Sequence, residues 1–396
     1  MHSDAIVIGA GAVGAACARA LAGAGLTVTV LDAAGAAAGT SGQGEGNLLV
    51  SDKLPGPELS LAQHSLTLWD GLQAELDAEL PAALPPVEYE RKGGLVVATT
   101  EAGAQPLLDF AAQQRAAGID ARAVGIAAAL ELEPDVNPAI TAAVHYPEDA
   151  QVQPVIATEA LLASARARGA RVVLGARVTG ALRAASDHAG RTGRLTGVRT
   201  TRGDFSADNV IVAAGPWSGD VAAALGASLP VRPRRGVVLV TTRMPHRIFH
   251  KVYDADYVGA VESDAAALQT SSVIESTAGG TVLVGSSRQQ RGFDAALDLA
   301  AVREIAAKAT RVFPFLAEAA VMRVYGGFRP FMPDHLPVIG PDACITGLWH
   351  ATGHEGAGIG LALGTAELLR DLITGATPVL DPVPFSPSRA TLEAAA

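Results

Sequence analysis

The chain has 396 residues, of which 49% are hydrophobic and 18% charged, with a formal net charge of -10. That length exceeds what one hydrophobic core holds, and an acidic chain with dispersed Lys and Arg excludes a phosphate-backbone partner. Two cysteines, Cys17 and Cys344, are too few for a disulfide scaffold, an iron–sulfur cluster or a thiolate zinc site, so no metal is expected. They fit a reducing, cytoplasmic setting. The N-terminus carries Asp4 and no Lys or Arg ahead of its apolar run, which does not read as a secretory signal. No apolar stretch of membrane-spanning length escapes a charge or a glycine cluster, so no transmembrane segment is expected. The densest basic run, Arg232, Arg234 and Arg235, is expected in a solvated turn.

Ala5 to Ile8 read as a buried parallel strand, and Gly9, Ala10, Gly11, Ala12, Val13 and Gly14 follow at once. A helix then runs to about Ala24, Gly25 ends it, and Thr27 to Leu31 form a second strand closing at Asp32. In this βαβ unit Gly9 permits a tight turn, Gly11 lets backbone approach a pyrophosphate, and Gly14 lets the helix pack close on the strand. Ala12 and Val13 open the helix, whose first N–H groups and positive dipole end favour phosphate. Asp32, followed by Ala33, sits where a carboxylate accepts hydrogen bonds from the ribose of an adenosine half and repels a 2′-phosphate. Cys17 falls inside the helix as a packing residue.

Beyond Asp32 the chain does not enter another βα repeat. Thr40, Ser41, Gly42, Gln43, Gly44, Glu45, Gly46 and Asn47 instead form a polar, glycine-rich loop able to wrap a ribityl chain. This loop resembles that of the D-amino-acid oxidase superfamily of FAD enzymes, which includes glycine oxidase, sarcosine oxidase and amino-acid dehydrogenases. Three later segments resemble the same superfamily in the same order. The first, from Arg171 through Val178 to Ala213, Ala214, Gly215, Pro216 and Trp217, contains a buried strand ending at glycine and a flat apolar wall. The resemblance implies that Val178 contacts the adenine and that the Ala-Ala-Gly turn lies beside the adenosine half.

The second segment is Tyr325, Gly326, Gly327, Phe328, Arg329 and Pro330, leading to Asp334. A guanidinium between a glycine pair and a proline suits bidentate recognition of a carboxylate, and the resemblance assigns that role to Arg329. Pairing of Arg329 with Asp334 is the competing reading. The third segment, Gly353, His354, Glu355, Gly356, Ala357, Gly358 and Ile359, is a glycine-rich turn feeding a helix through Leu369. The resemblance places this turn at the pyrimidine end of the flavin. Many relatives have proline where Leu363 stands, which leaves the helix start open. Monomeric sarcosine oxidases tether flavin through a cysteine just beyond the position of Arg329. Phe331 and Met332 stand there instead, so FAD is expected to be non-covalent.

The resemblance implies an α/β fold, α+β overall. A Rossmann-like FAD domain of glutathione-reductase type would comprise residues 1–82, 148–222 and 326–396. A second domain over 83–147 and 223–325 would be built on a mixed or antiparallel sheet containing Leu95 to Thr99, Val237 to Thr241 and Thr281 to Gly285. The tail from Ala390 is expected to fray. On the second domain His250, Tyr253, Tyr257 and Arg288 are candidates to help Arg329 hold substrate. The implied reaction is oxidation of the C–N bond of a small amino or imino acid, D-amino acid, sarcosine, glycine, proline or hydroxyproline, by hydride transfer to flavin N5. A dehydrogenase resembling proline and hydroxyproline dehydrogenase β-type subunits would pass electrons to partner subunits. The alternatives are an oxygen-reducing oxidase and a non-catalytic flavin-binding assembly subunit.

Overall fold

In a computed structural model, which describes residues 2–81, 84–184, 193–256 and 265–395, the strand His2–Ile8 lies inside the first of two large sheets. Ala5, Ile6 and Val7 have no exposed surface, as expected of a strand covered on both faces. It pairs in parallel with Val28–Asp32 on one side and Gly203–Val212 on the other, so that Val7 lies between Val30 and Ile211. Arg171–Leu174 extends the sheet beyond Val28–Asp32, and Leu348–Thr352 extends it beyond Gly203–Val212, both in parallel. The antiparallel strand Val338–Pro341 closes that edge.

The helix Ala12–Gly23 packs with a face of small residues, Ala15, Ala16, Cys17 and Ala18 among them, all buried. Small side chains let it lie close to two further helices, Pro154–Ala167 and Gly358–Thr374. Helix Pro57–Glu79 covers the last of these, where Ser65 Oγ donates to Gly360 O and Gly364 leaves room for Leu61. Among the described residues no helix is long and apolar enough to cross a membrane.

The second sheet runs, in spatial order, Val321–Phe331, Arg232–Thr241, Val282–Arg288, Gln269–Ser276, Lys251–Asp254, Gly94–Ala98, Ala142–Tyr146 and Arg122–Val124. It is mostly antiparallel, with one parallel pair between Lys251–Asp254 and Gly94–Ala98. Its outer face buries Leu239, Val252 and Ile274 against Ile305 and Ala309 of helix Leu299–Val312. The fold is thus mixed α/β with two sheets of different character. Segments from 94–146 and 232–331 supply the second sheet. The boundary expected at 326 therefore falls inside the strand Val321–Phe331, which belongs to this sheet along its whole length.

Two sequence expectations need correction. Arg232, Arg234 and Arg235 do not form a solvated turn: they open the strand Arg232–Thr241, and Arg234 is fully buried. Its guanidinium is kept there by Glu355 at 3.2 Å and by the Phe331 ring at 5.2 Å, while Arg235 lies over Phe328. Of the tail expected to fray, Ala390–Ala395 is helical. Leu392 is buried with Met332 and Val338, and the preceding Arg389 grips Asp334 through Nε at 2.6 Å and Nη2 at 2.8 Å.

Both members of the Arg389–Asp334 pair are nearly fully buried, so removing the cation strands a desolvated carboxylate. Arg389→Met is expected to lower unfolding free energy by about 3–5 kcal/mol, read from urea denaturation. A loss below about 1 kcal/mol would show that the clasp contributes little.

Candidate functional site

A cavity of about 540 Å³ lies between the two sheets. On the first sheet it begins at the junction of His2–Ile8 with the helix Ala12–Gly23. Gly9 has φ of +119°, and a Cβ there would overlap the carbonyl oxygen of Ala213. A Cβ on Gly14 would overlap the carbonyl of Gly9. Backbone therefore packs on backbone, leaving Gly11, Ala12 and Val13 to line the cavity at the helix N-terminus. Gly14 shapes the turn without facing the cavity.

Asp32 and Ala33 line the same cavity. The Asp32 carboxylate is pinned by the Ala10 N–H at 2.8 Å and the Ala34 N–H at 2.7 Å, which fixes its direction while leaving lone pairs for ribose hydroxyls. Val178, Ala214, Gly215 and Trp217 complete this side. The glycine cradle, the helix end and the oriented carboxylate together fit the adenosine and pyrophosphate of FAD.

The loop after Asp32 carries Thr40, Ser41, Gly44, Glu45, Gly46 and Asn47 along the cavity wall. It is more ordered than its composition suggests. Thr40–Gln43 make a 3-10 turn, and Asn47–Leu48 pairs with Ala150–Gln151. Ser41 Oγ accepts from the Ala12 N–H at 2.9 Å, so its hydroxyl caps the helix. Thr40 Oγ1 donates to Phe328 O at 2.6 Å, tying the loop to the second sheet. Gly327 lines the cavity, and its lack of a side chain admits Gln43.

Arg329 lines the cavity from the second sheet. Its Nη1 donates to Ser287 O at 2.8 Å, and the guanidinium lies over Gly236, where a Cβ would overlap it. Asp334 is committed to Arg389, which removes the alternative in which it pairs with Arg329. Gly236 was missed by sequence reasoning. The available signal was a glycine inside a strand, between its basic start and the β-branched run from Val237, which marks close approach by another group. Phe328 and Pro330, which flank Arg329, also line the cavity, as do Val238 and Thr352, which had not been singled out.

Within the turn before helix Gly358–Thr374, His354, Glu355, Gly356, Gly358 and Ile359 reach the cavity. Ala357 instead caps the helix, and Gly353 makes room for Met332. Leu363 is buried within the helix and does not displace its start. Glu355 lies between Arg234 and His335 Nδ1, the latter at 3.0 Å. His354 is buried, with Nε2 3.0 Å from Thr365 Oγ1, and burial pushes its imidazole down to about 3, so it is neutral.

Of the remaining candidates, the described ones, His250, Tyr253 and Arg288, do not line the cavity. Tyr253 has no exposed surface, and its hydroxyl donates to Ser51 Oγ at 2.6 Å in a network with Asp149. Burial pushes the Asp149 carboxyl up to about 7. His250 Nδ1 lies 2.9 Å from Glu133 Oε1, well supplied by its own neighbours. Both side chains are used to bind segments of the protein together. Tyr257 lies outside the described residues. Arg288 is buried and donates to Ser271 Oγ at 3.3 Å. At the cavity's edge Trp217 stacks on Phe293 with centroids 5.4 Å apart, and Phe293 meets Phe328 edge-on at 5.3 Å.

Substituting Gly14→Val forces the helix away from Gly9, and the purified protein is expected to lack flavin absorbance while remaining folded by circular dichroism. Full flavin content would show that this approach is dispensable. A second outcome concerns pH. Because the folded-state pKa of His354 lies below its ordinary value near 6.5, the unfolded chain binds the extra proton. Its contribution is complete above pH ~6.5 and is lost as pH falls towards about 3. The drop in melting temperature between pH 7 and pH 5 should therefore be smaller in His354→Gln than in the parent.

The chain matches the sequence model of the family described as FAD dependent oxidoreductase (DAO) over residues 4–372. Glycine oxidase of Pseudomonas putida is 34% identical over 195 residues, 49% of this chain and 49% of that protein. The chain thus spans about half the length of that curated relative. Hydrogen cyanide synthase subunit HcnC of Pseudomonas aeruginosa is 32% identical over 266 residues, 67% of this chain and 58% of that protein. The crystal structure of glycine oxidase from Geobacillus kaustophilus superposes with a TM-score of 0.86 at 26% identity, covering 98% of this chain and 99% of the other. A cradle fitted to FAD and a family match over nearly the whole length agree: this chain belongs to the FAD dependent oxidoreductase (DAO) family.

Proposed function

We propose that this protein oxidises the carbon–nitrogen bond of a small amino or imino acid and that Arg329 holds the substrate carboxylate. The observation that carries the reading is a half-buried guanidinium lining the same cavity as the FAD cradle. The glycine oxidase relatives support the substrate class. When bound, FAD supplies the two-electron acceptor for the hydride that leaves the carbon beside nitrogen. The residues that would hold it are those of the Gly9–Gly14 turn, Asp32, the Thr40–Asn47 loop and the turn before Gly358. Neither Cys17, which is buried in its helix, nor Cys344, which is exposed, lines the cavity, and this supports non-covalent binding.

Arg329 orients rather than reacts. The Ser287 carbonyl and the Gly236 backbone hold one side of its guanidinium, so little rotamer freedom is left to lose when a carboxylate binds. The second sheet covers the reacting end and limits access of water to it. Only a neutral amine has the lone pair that forms the new C=N bond, and the imine hydrolyses after leaving. The reading extends to a dehydrogenase that passes electrons to a partner subunit in a cytoplasmic setting. The naming of HcnC as a subunit supports the former, and the low cysteine count supports the latter. The division into an FAD-binding part around the first sheet and a substrate-binding part around the second belongs to the same proposal.

Anaerobic mixing with glycine, sarcosine, proline, hydroxyproline and both enantiomers of alanine is expected to bleach the flavin with at least one of them. No bleaching with any amino or imino acid would overturn the reading and favour a non-catalytic binding subunit. Peroxide formation in air would replace the dehydrogenase with an oxidase. Arg329→Met is expected to raise the substrate KM about 100-fold, the equivalent of ~2.7 kcal/mol, with flavin content unchanged.

A further inference from the structure

A carboxylate withdrawn from water requires hydrogen-bond donors, and Glu45 is short of them. It is 9% exposed and lines the cavity. Its side chain bonds that of Asn47, but among the described residues Oε1 has no hydrogen-bond partner. Gly285, on the strand Val282–Arg288, provides the space for that oxygen, since a Cβ there would overlap it. The sequence thus admits a desolvated, unpaired acceptor against the second sheet beside the cavity, in space that a larger residue than glycine would have filled.

The surrounding charges define what that acceptor suits. Lys251, Arg329 and Arg288 act on Glu45 from three strands of the second sheet. Lys251 is ion-paired with Glu275 on the adjacent strand, and Arg329 and Arg288 donate to Ser287 O and Ser271 Oγ. Tyr325, raised by its own burial and by the nearby Glu45, adds a neutral phenol. Glu45 and Arg329 therefore present one carboxylate and one guanidinium to a shared cavity, a charge pattern complementary to a zwitterion.

We propose that Glu45 binds the protonated nitrogen of the substrate while Arg329 binds its carboxylate, and that Glu45 then takes one proton from that nitrogen. This rests on the amino-acid reading above and deepens it. In the transfer an N–H bond breaks and its electron pair remains on nitrogen. An O–H bond forms on Glu45, so ammonium and carboxylate become neutral amine and carboxylic acid with no net change in charge. The lone pair so released forms the C=N bond as hydride leaves the adjacent carbon for the two-electron acceptor of the family reaction. Glu45 is suited to this work because burial raises its proton affinity, while Lys251, Arg329, Arg288 and the Asn47 amide oppose that rise.

The test compares two ligands of one skeleton on flavin-loaded protein. One is the amino acid that bleaches the parent flavin, and the other is its nitrogen-free carboxylate, propionate for alanine or acetate for glycine. Binding is read from the perturbation of the flavin spectrum, and reduction from anaerobic stopped flow. In Glu45→Gln the amino acid should bind at least about tenfold more weakly, while the carboxylate binds as well or better. Its kcat/KM should climb about tenfold per pH unit below the pKa of the amine, because only the neutral amine reacts, whereas the parent profile is flatter. Glu45→Asp should recover part of the preference. Equal weakening of both ligands, or a pH profile unchanged by the substitution, would assign Glu45 a purely structural role and overturn the proposal. If E45Q is isolated without flavin, E45D carries the same comparison: selective weakening of the amino acid supports the proposal, and equal binding changes overturn it. A parent enzyme bleached by no amino acid would defeat the substrate reading itself, a result separate from failure at Glu45.

Discussion

Backbone contact between Gly9, Gly14 and Ala213 is the constraint on which the rest of the architecture depends. Gly9 follows the first strand, Gly14 lies in the helix Ala12–Gly23 and Ala213 comes just after the strand Gly203–Val212, about two hundred positions later, yet no side chain fits between them. The contact sets the height of the helix Ala12–Gly23 above the sheet and aims its N-terminus along the cavity. From there the Thr40–Asn47 loop takes its course, with Ser41 fastened to the helix start and Thr40 to Phe328 of the opposite sheet. One close approach in the first layer is in this way transmitted to the placement of Arg329 in the second.

The second layer answers with charge. Arg234 with Glu355, Lys251 with Glu275, and Arg389 with Asp334 are all buried or nearly so. Such pairs are poor sources of net stability because each ion gives up its hydration. They are directional, however, and here they fix the turn before Gly358, the strands beside Glu45 and the end of the Val321–Phe331 strand. The Tyr253–Ser51–Asp149 network does the same for the loop that continues from Asn47. Polar groups in this protein position backbone that a uniformly apolar core would leave free to shift.

Much of the first sheet was legible because it is written in local signals: an apolar run, glycines at fixed spacing, a helix and an acid. The cradle residues that those signals name do line the cavity, apart from Gly14, whose work is packing. The second sheet was legible only as scattered strands, since its pairing joins segments far apart in sequence and period-two patterns do not state their partners. Tyr253 and His250 looked exposed to substrate because polar aromatics on such a sheet often are. Ser51 and Glu133, distant in sequence, claim them instead. Gly236 and Gly285 show the opposite failure: their meaning lies in the Arg329 and Glu45 side chains that occupy the space they leave.

The aromatic stack at the cavity's edge gives the molecule an internal optical reporter. Of the three tryptophans, Trp69 is buried among helices and the Trp349 indole donates to Asn209, whereas Trp217 stands half exposed against Phe293 beside the cofactor cradle. Emission from that one indole is therefore coupled to whatever fills the cavity and to any parting of the stack. The arrival or departure of the cofactor can be followed by fluorescence without a label.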